Sequence, residues 1–164
     1  GVGAAAHLTT ELLMLTTGIK MTHVPYKGTA PALQGLMGGE IQLLMDTPSS
    51  MLPHVRSGKI KVLGMASEKR IAAAPDIPTL TENGVAVTGG TWVGWLAPAK
   101  TPNASVARLG KEIGGILQRA EVRERFTQMG IDPVGNTPAE FAKFLDDEVE
   151  KWAKVIRAAN VRIE

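Results

Sequence analysis

The sequence contains no cysteine, which excludes disulfide frameworks, thiol nucleophiles and cysteine-ligated zinc or iron–sulfur centres together. Aromatic residues make up only 4% of the chain, too few for the stacking platforms that single-stranded nucleic acids require. The formal net charge is +2 and the basic residues are scattered, so the electrostatic footprint of a nucleic-acid binder is missing. No apolar run approaches the roughly 18 residues that suggest a membrane span. His7, His23 and His54 are the only histidines; none has a partner at metal-ligand spacing, and no metal or cofactor is implied. No G-x-S-x-G elbow marks Ser49 or Ser50 as a nucleophile, although either residue, a histidine and Asp46 are the residue types of a catalytic triad. An initiator Met and a signal peptide are also lacking, and Gly1-Val2-Gly3 reads as the middle of a loop, so a fragment or processed chain is expected.

What is present is an ordinary globular composition: 164 residues, 44% hydrophobic and 21% charged, enough for one domain or two small lobes. Leu8, Leu12 and Leu15, with Ala5 behind them, predict a helix over residues 4–17, stopped by Gly18. Residues 21–25 read as a strand, 30–37 as a helix before Gly38-Gly39, and 41–45 as a strand apolar on both faces, as in a parallel sheet. Asp46-Thr47-Pro48 supplies a cap and a first-turn proline for a helix to about Ser57. Residues 61–66 read as the next strand, and 79–83 as a short helix. The alternation predicts a parallel α/β sheet. A long extended segment, 87–96, then leads into a Pro-rich stretch ending at Pro102. Beyond it the chain becomes helical: 102–119, 121–129 and 138–159. Thr137-Pro138-Ala139-Glu140 is a capping box with proline at the first helical position, and Phe141, Phe144, Leu145, Trp152, Val155 and Ile156 form one apolar stripe that needs a surface to pack on.

Three places have the residue types of an anion or polar-ligand site. Gly1-Val2-Gly3-Ala4 lets the backbone approach a ligand and delivers it to a helix N-terminus with unpaired N–H donors; it is equally a loop joining a strand to a helix. Asp46 and Thr47 stand where a buried strand ends, the place at which open α/β sheets bind ligands. Asp46 there either accepts from a ligand amine or hydroxyl or caps the helix. Tyr26-Lys27-Gly28 occupies the same topological place after the preceding strand, with Lys27 able to attract an anion or merely solvated. His7 lies in the first turns of helix one, within reach of a cleft or bonded locally. Trp95 reads as core, and Trp92 as core or as part of a hinge between lobes.

Gly1-Val2-Gly3 with His7-Leu8, the run from His23 to Gly28, Pro31-Ala32-Leu33, Gly38-Gly39-Glu40-Ile41, the run from Pro53 to Lys59, Pro75-Asp76-Ile77-Pro78-Thr79 and the run from Trp92 to Pro102 closely resemble the Bug receptors. These are the solute receptors of tripartite tricarboxylate transporters. The resemblance spans nearly the whole chain in order. It implies an α/β, periplasmic-binding-protein type II-like fold: residues 1–90 as most of ligand-binding lobe two, 91–102 as the crossover, and 103–164 as the helical return to lobe one, with the N-terminal half absent. It further implies a periplasmic, non-enzymatic receptor that traps a small carboxylate, a di- or tricarboxylate or an amino acid, and hands it to membrane permease subunits. The family's contacts carry over onto Gly1, Val2, Gly3, Ala4, Asp46 and Thr47, and less directly onto Tyr26 and Gly28; a chain lacking the other half is expected to bind weakly. A hydrolase or acyl-transfer enzyme, and a sensing module for a membrane kinase, are the alternatives.

Overall fold

The computed structural model describes residues 1–162. Six helices occupy Ala5–Thr17 (α1), Thr29–Gly38 (α2), Pro48–Arg56 (α3), Asn103–Leu117 (α4), Ala120–Gln128 (α5) and Pro138–Ala158 (α6). Each lies within two residues of its sequence prediction, because the terminators act locally. Gly18 and Gly39 close α1 and α2 in the left-handed region, at φ 75° and 80°, a conformation that costs other residues a Cβ clash.

The capping box of α6 forms as expected. The Thr137 side chain accepts the Glu140 amide at 3.3 Å and Glu140 Oε2 accepts the Thr137 amide at 2.7 Å. That backbone bond, followed by the Thr137 hydroxyl, holds the Glu140 carboxyl below its usual range. A depressed folded-state value means that the carboxylate's contribution is full above the unfolded value and disappears as pH falls through the folded one. Thr137→Ala is therefore expected to destabilise by about 1 kcal/mol at neutral pH. Glu140→Gln is expected to differ from the parent at pH 7 and to converge with it as pH falls through the depressed folded-state value, as read by urea denaturation.

The predicted strands are corrected. Residues 21–25, 41–45, 61–66 and 87–96 are extended, but they form no ladder; among the described residues the single β pairing is a parallel bridge between Met65 and Thr79. A strand differs from an extended segment only by hydrogen bonds to a neighbour, and no neighbour is seated between these segments. The predicted helix at 79–83 is a single hydrogen-bonded turn. Glu82 and Thr79 exchange bonds like a capping box, at 2.7 and 3.1 Å, but Gly84 at φ 83° stops the helix at once.

The best-packed cluster is Leu52 of α3 with Ile71, Ala74 and Ile77, flanked by Met65 and Ala73. Arg56 closes one side by donating to the Ala73 carbonyl at 2.8 Å. A second region joins α6 to α1 and α4, so the apolar stripe of α6 finds partners within this chain. Its first turns carry Phe141 and Phe144 edge-on against Trp92, with ring centroids 5.8 and 5.4 Å away. Farther along, Val155 is buried, and half-buried Glu148 accepts the Trp152 indole N–H at 2.8 Å. Ile156, expected in the stripe, is partly exposed. Trp95 is not core: it is 63% exposed, and its neighbours Val93 and Leu96 are 85% and 77% exposed.

Candidate functional site

Helix α1 gathers the site. Its side chains at positions 7, 9 and 10 each meet an extended segment. His7 stacks on His23, ring centroids 4.0 Å apart and 17° from parallel. Thr10 Oγ1 lies 4.0 Å from Met45 Sδ. Thr9, almost wholly buried, bonds back to the Ala5 carbonyl at 2.8 Å and leaves no room for a side chain at Gly89, whose amide donates to the Ala66 carbonyl at 2.7 Å. Segments 21–25, 41–45 and 87–96 thereby each meet one helix, and 61–66 joins them through the Gly89 amide.

The glycine turn sits at the start of this helix. Gly3 adopts φ 76°, the Ala4 amide donates to the Gly1 carbonyl at 3.2 Å, and the Gly3 amide donates to His7 Nδ1 at 3.1 Å. Two of the donors that the sequence offered to an anion are thus engaged within the turn. Ala4 is the N-cap and supplies no side-chain acceptor, so the first-turn amides of α1 remain the donors facing outward, at the positive end of the helix dipole. Gly1, Val2 and Ala4 are exposed.

Asp46 follows Met45 directly, beside the first turns of α1. Its Oδ1 accepts the Thr47 amide at 2.7 Å, and a carboxylate with about four lone-pair positions keeps capacity for a ligand donor. Thr47 is the N-cap of α3 but does not bond the helix amides. Its hydroxyl instead meets Ser49 and Ser50 hydroxyls at 3.1 and 3.0 Å. The structure thus joins Gly3 to His7 on α1, and sets Met45, the neighbour of Asp46, against Thr10 of the same helix.

Tyr26 is directed elsewhere. Its phenol lies across α2 at Gly35, where a methyl group would overlap the ring, and its hydroxyl bonds Glu40 Oε2 at 3.2 Å. Desolvation and the Glu40 carboxylate both raise the phenol's pKa. Gly28 serves as the α2 N-cap at φ 108°, and Lys27 is exposed. The contact that sequence reasoning missed is the one between His7 and His23: sixteen positions apart, it has no periodicity to betray it. Among the described residues no cluster of three ligating side chains could hold a metal ion, and no helix is long and apolar enough to cross a membrane.

This arrangement matches known proteins. The family model described as tripartite tricarboxylate transporter family receptor matches residues 1–161. Protein BugT of Bordetella pertussis is 34% identical over 164 residues, covering 99% of this chain and 50% of BugT. Two solved structures are similar: R. palustris Rpa4515 with adipate (TM-score 0.82, 31% identity, 97% of this chain and 54% of that one) and the periplasmic binding protein BugD (TM-score 0.76, 32% identity, 100% and 56%). The chain spans about half the length of BugT and of both solved proteins. In them the fold is that of a periplasmic binding protein, which supplies the α/β class that the unpaired segments alone do not display. The chain belongs to the tripartite tricarboxylate transporter receptor family, a family of solute-binding receptors and not of enzymes.

Proposed function

We propose that this chain forms part of an extracytoplasmic receptor that captures a small carboxylate for a tripartite-type permease. Residues 1–90 belong to the second ligand-binding lobe, 91–102 to the crossover and 103–164 to the helical return. The observation that carries the reading is the α1 N-terminus: a glycine turn leads into a helix start without a side-chain cap, next to the segment end that presents Asp46 and Thr47. Oriented amides at a helix start recognise a carboxylate without carrying a formal charge. A second carboxylate would be repelled by Asp46, so that residue suits a ligand hydroxyl or ammonium and narrows the acids accepted. Adipate, the acid named with one solved relative, carries a carboxylate for the helix start but no group for Asp46, whereas malate, named with another, also carries a hydroxyl, so the two together are the first probes.

The test is a thermal-shift screen of this chain joined to the N-terminal half of a family receptor, with adipate, malate, shorter dicarboxylates, a tricarboxylate and acidic amino acids. A ligand that binds only the folded state raises the melting temperature. One acid class is expected to give a shift. Gly3→Val should weaken that acid by about tenfold, ~1.4 kcal/mol, because a β-branched residue does not hold the left-handed turn. A folded protein that answers to none of the acids would refute carboxylate capture.

A further inference from the structure

The stacked imidazoles beside the glycine turn have no part in the carboxylate reading, yet they are wired to it. His7 Nδ1 accepts the Gly3 amide at 3.1 Å, so that nitrogen carries no proton here. The ring's one proton then belongs to Nε2, which points at Glu11 Oε1 from 3.3 Å. The His7 side chain is 8% exposed, whereas His23 is exposed and covers one face of it.

We infer that the His7–His23 stack is a proton-operated tie on the glycine turn: with both rings neutral His7 holds the Gly3 amide, and a proton taken up on His7 Nδ1 releases it. A proton from solvent has only Nδ1 to occupy, because Nε2 already bears one. Two N–H groups then face each other, and the bond to Gly3 is replaced by repulsion between donors. Gly3 sits at φ 76° in a turn closed by the Ala4 amide on the Gly1 carbonyl at 3.2 Å, so the proton releases the Gly3 amide and not the whole turn.

The surrounding charges set when this happens. Glu11 favours a proton on the pair, and the neighbouring ring opposes a second one. The His23 imidazole is held below its usual pKa by desolvation first, then by His7 and by the Gly1 amino group, against the opposing pull of Glu11. Helix α6, which packs on α1, places no ion pair or hydrogen bond on either ring among the described residues. His7 is thus a positioning residue that acts through Gly3, and its effect on ligand capture rests on the carboxylate reading; the tie itself does not.

The test uses the ¹⁵N-labelled protein without any acid ligand. The Gly3 amide and the His7 and His23 ring nitrogens are followed by NMR between about pH 8 and pH 5, the interval in which imidazoles change charge. The Gly3 amide is expected to move with the ring signals. That movement should vanish in His7→Gln, which has no titrating ring, and persist in His23→Gln, which leaves the bond to Gly3 in place. Loss in one variant and retention in the other is a readout that simple loss of packing does not produce, and neither side chain belongs to the buried core. A Gly3 amide that ignores pH, or that still moves in His7→Gln, overturns the tie. An adipate titration over the same interval reports separately on carboxylate capture, since absence of binding at every pH leaves the Gly3 result unchanged.

Discussion

Replacing Gly94 with valine is expected to destabilise the protein by about 3 kcal/mol, the upper end of what overpacking ordinarily costs. The Phe141 ring lies directly over Gly94, and a methyl group placed there would overlap its edge. The ring cannot simply swing aside. It also packs edge-on to Trp92 and stacks with Phe144, centroids 5.8 and 6.1 Å away, and edge-to-face pairs are worth about 0.5–1.5 kcal/mol beyond the area they bury. Displacing Phe141 therefore loosens the whole seat of the crossover segment on α6. The explanation is separable from a backbone effect by a double-mutant cycle. If the clash is the cause, Phe141→Ala carries its own cost but removes most of the additional cost of Gly94→Val. Full additivity in urea denaturation would show that the ring is not what Gly94 accommodates. Alanine at 94 should fall between the two, because one methyl group asks the ring for a smaller displacement.

How much of this was legible in the sequence depends on the distance over which each signal acts. Helix ends were readable because Gly18, Gly39 and Thr137 with Glu140 decide them within four residues. The apolar stripe of α6 was readable for the same reason, since helical periodicity places Phe141, Phe144, Leu145, Trp152 and Val155 on one face wherever that face goes. Its partners were not: nothing in Trp92 or Gly94 announces a ring 47 positions later. Trp95 misled because aromatic residues on extended segments are core when a neighbouring strand covers them, and none does so here. The site shows the same division. The glycine turn and the Asp46-Thr47 segment end were visible as residue types suited to polar ligands. That the Gly3 amide is already committed to His7, and that Tyr26 is directed to α2 and Glu40, depends on contacts that only folding brings about. The family resemblance supplied what composition and periodicity could not, namely the binding-protein class of the fold.

Adding the N-terminal half of a family receptor, such as that of BugT, is expected to raise the melting temperature by about 10 °C and carboxylate affinity by about a hundredfold, ~2.7 kcal/mol. The reasoning begins with the backbone. Segments 21–25 and 41–45 are unladdered; their first amides are held by Met14 Sδ and the Gly35 carbonyl, and the unladdered backbone that follows each is a template for another strand. The side chains agree. Leu63, Val93, Trp95 and Leu96 are 69%, 85%, 63% and 77% exposed, more apolar surface than a chain of this kind leaves open without a partner. Burying such side chains contributes roughly 1.5–3 kcal/mol each, so four of them supply a gross gain on the order of 6–12 kcal/mol, against an association cost on the order of 4–15 kcal/mol. A net gain of about 3 kcal/mol corresponds to the stated shift for a domain of this size. Affinity follows on the proposed site, where the α1 N-terminus and Asp46 would form only one wall, because a ligand gripped from both sides loses less to solvent. Rpa4515, divided at the matching position, is the positive control. Hydrogen exchange supplies the decisive readout: amides of residues 22–24 and 42–45 should exchange freely in the isolated chain and become protected in the mixture, while those of α4 change little. If these amides are already protected alone, or stay unprotected when the Rpa4515 halves reassemble and this pair is mixed under the same conditions, the segments are not waiting strands and the cleft must be completed in another way.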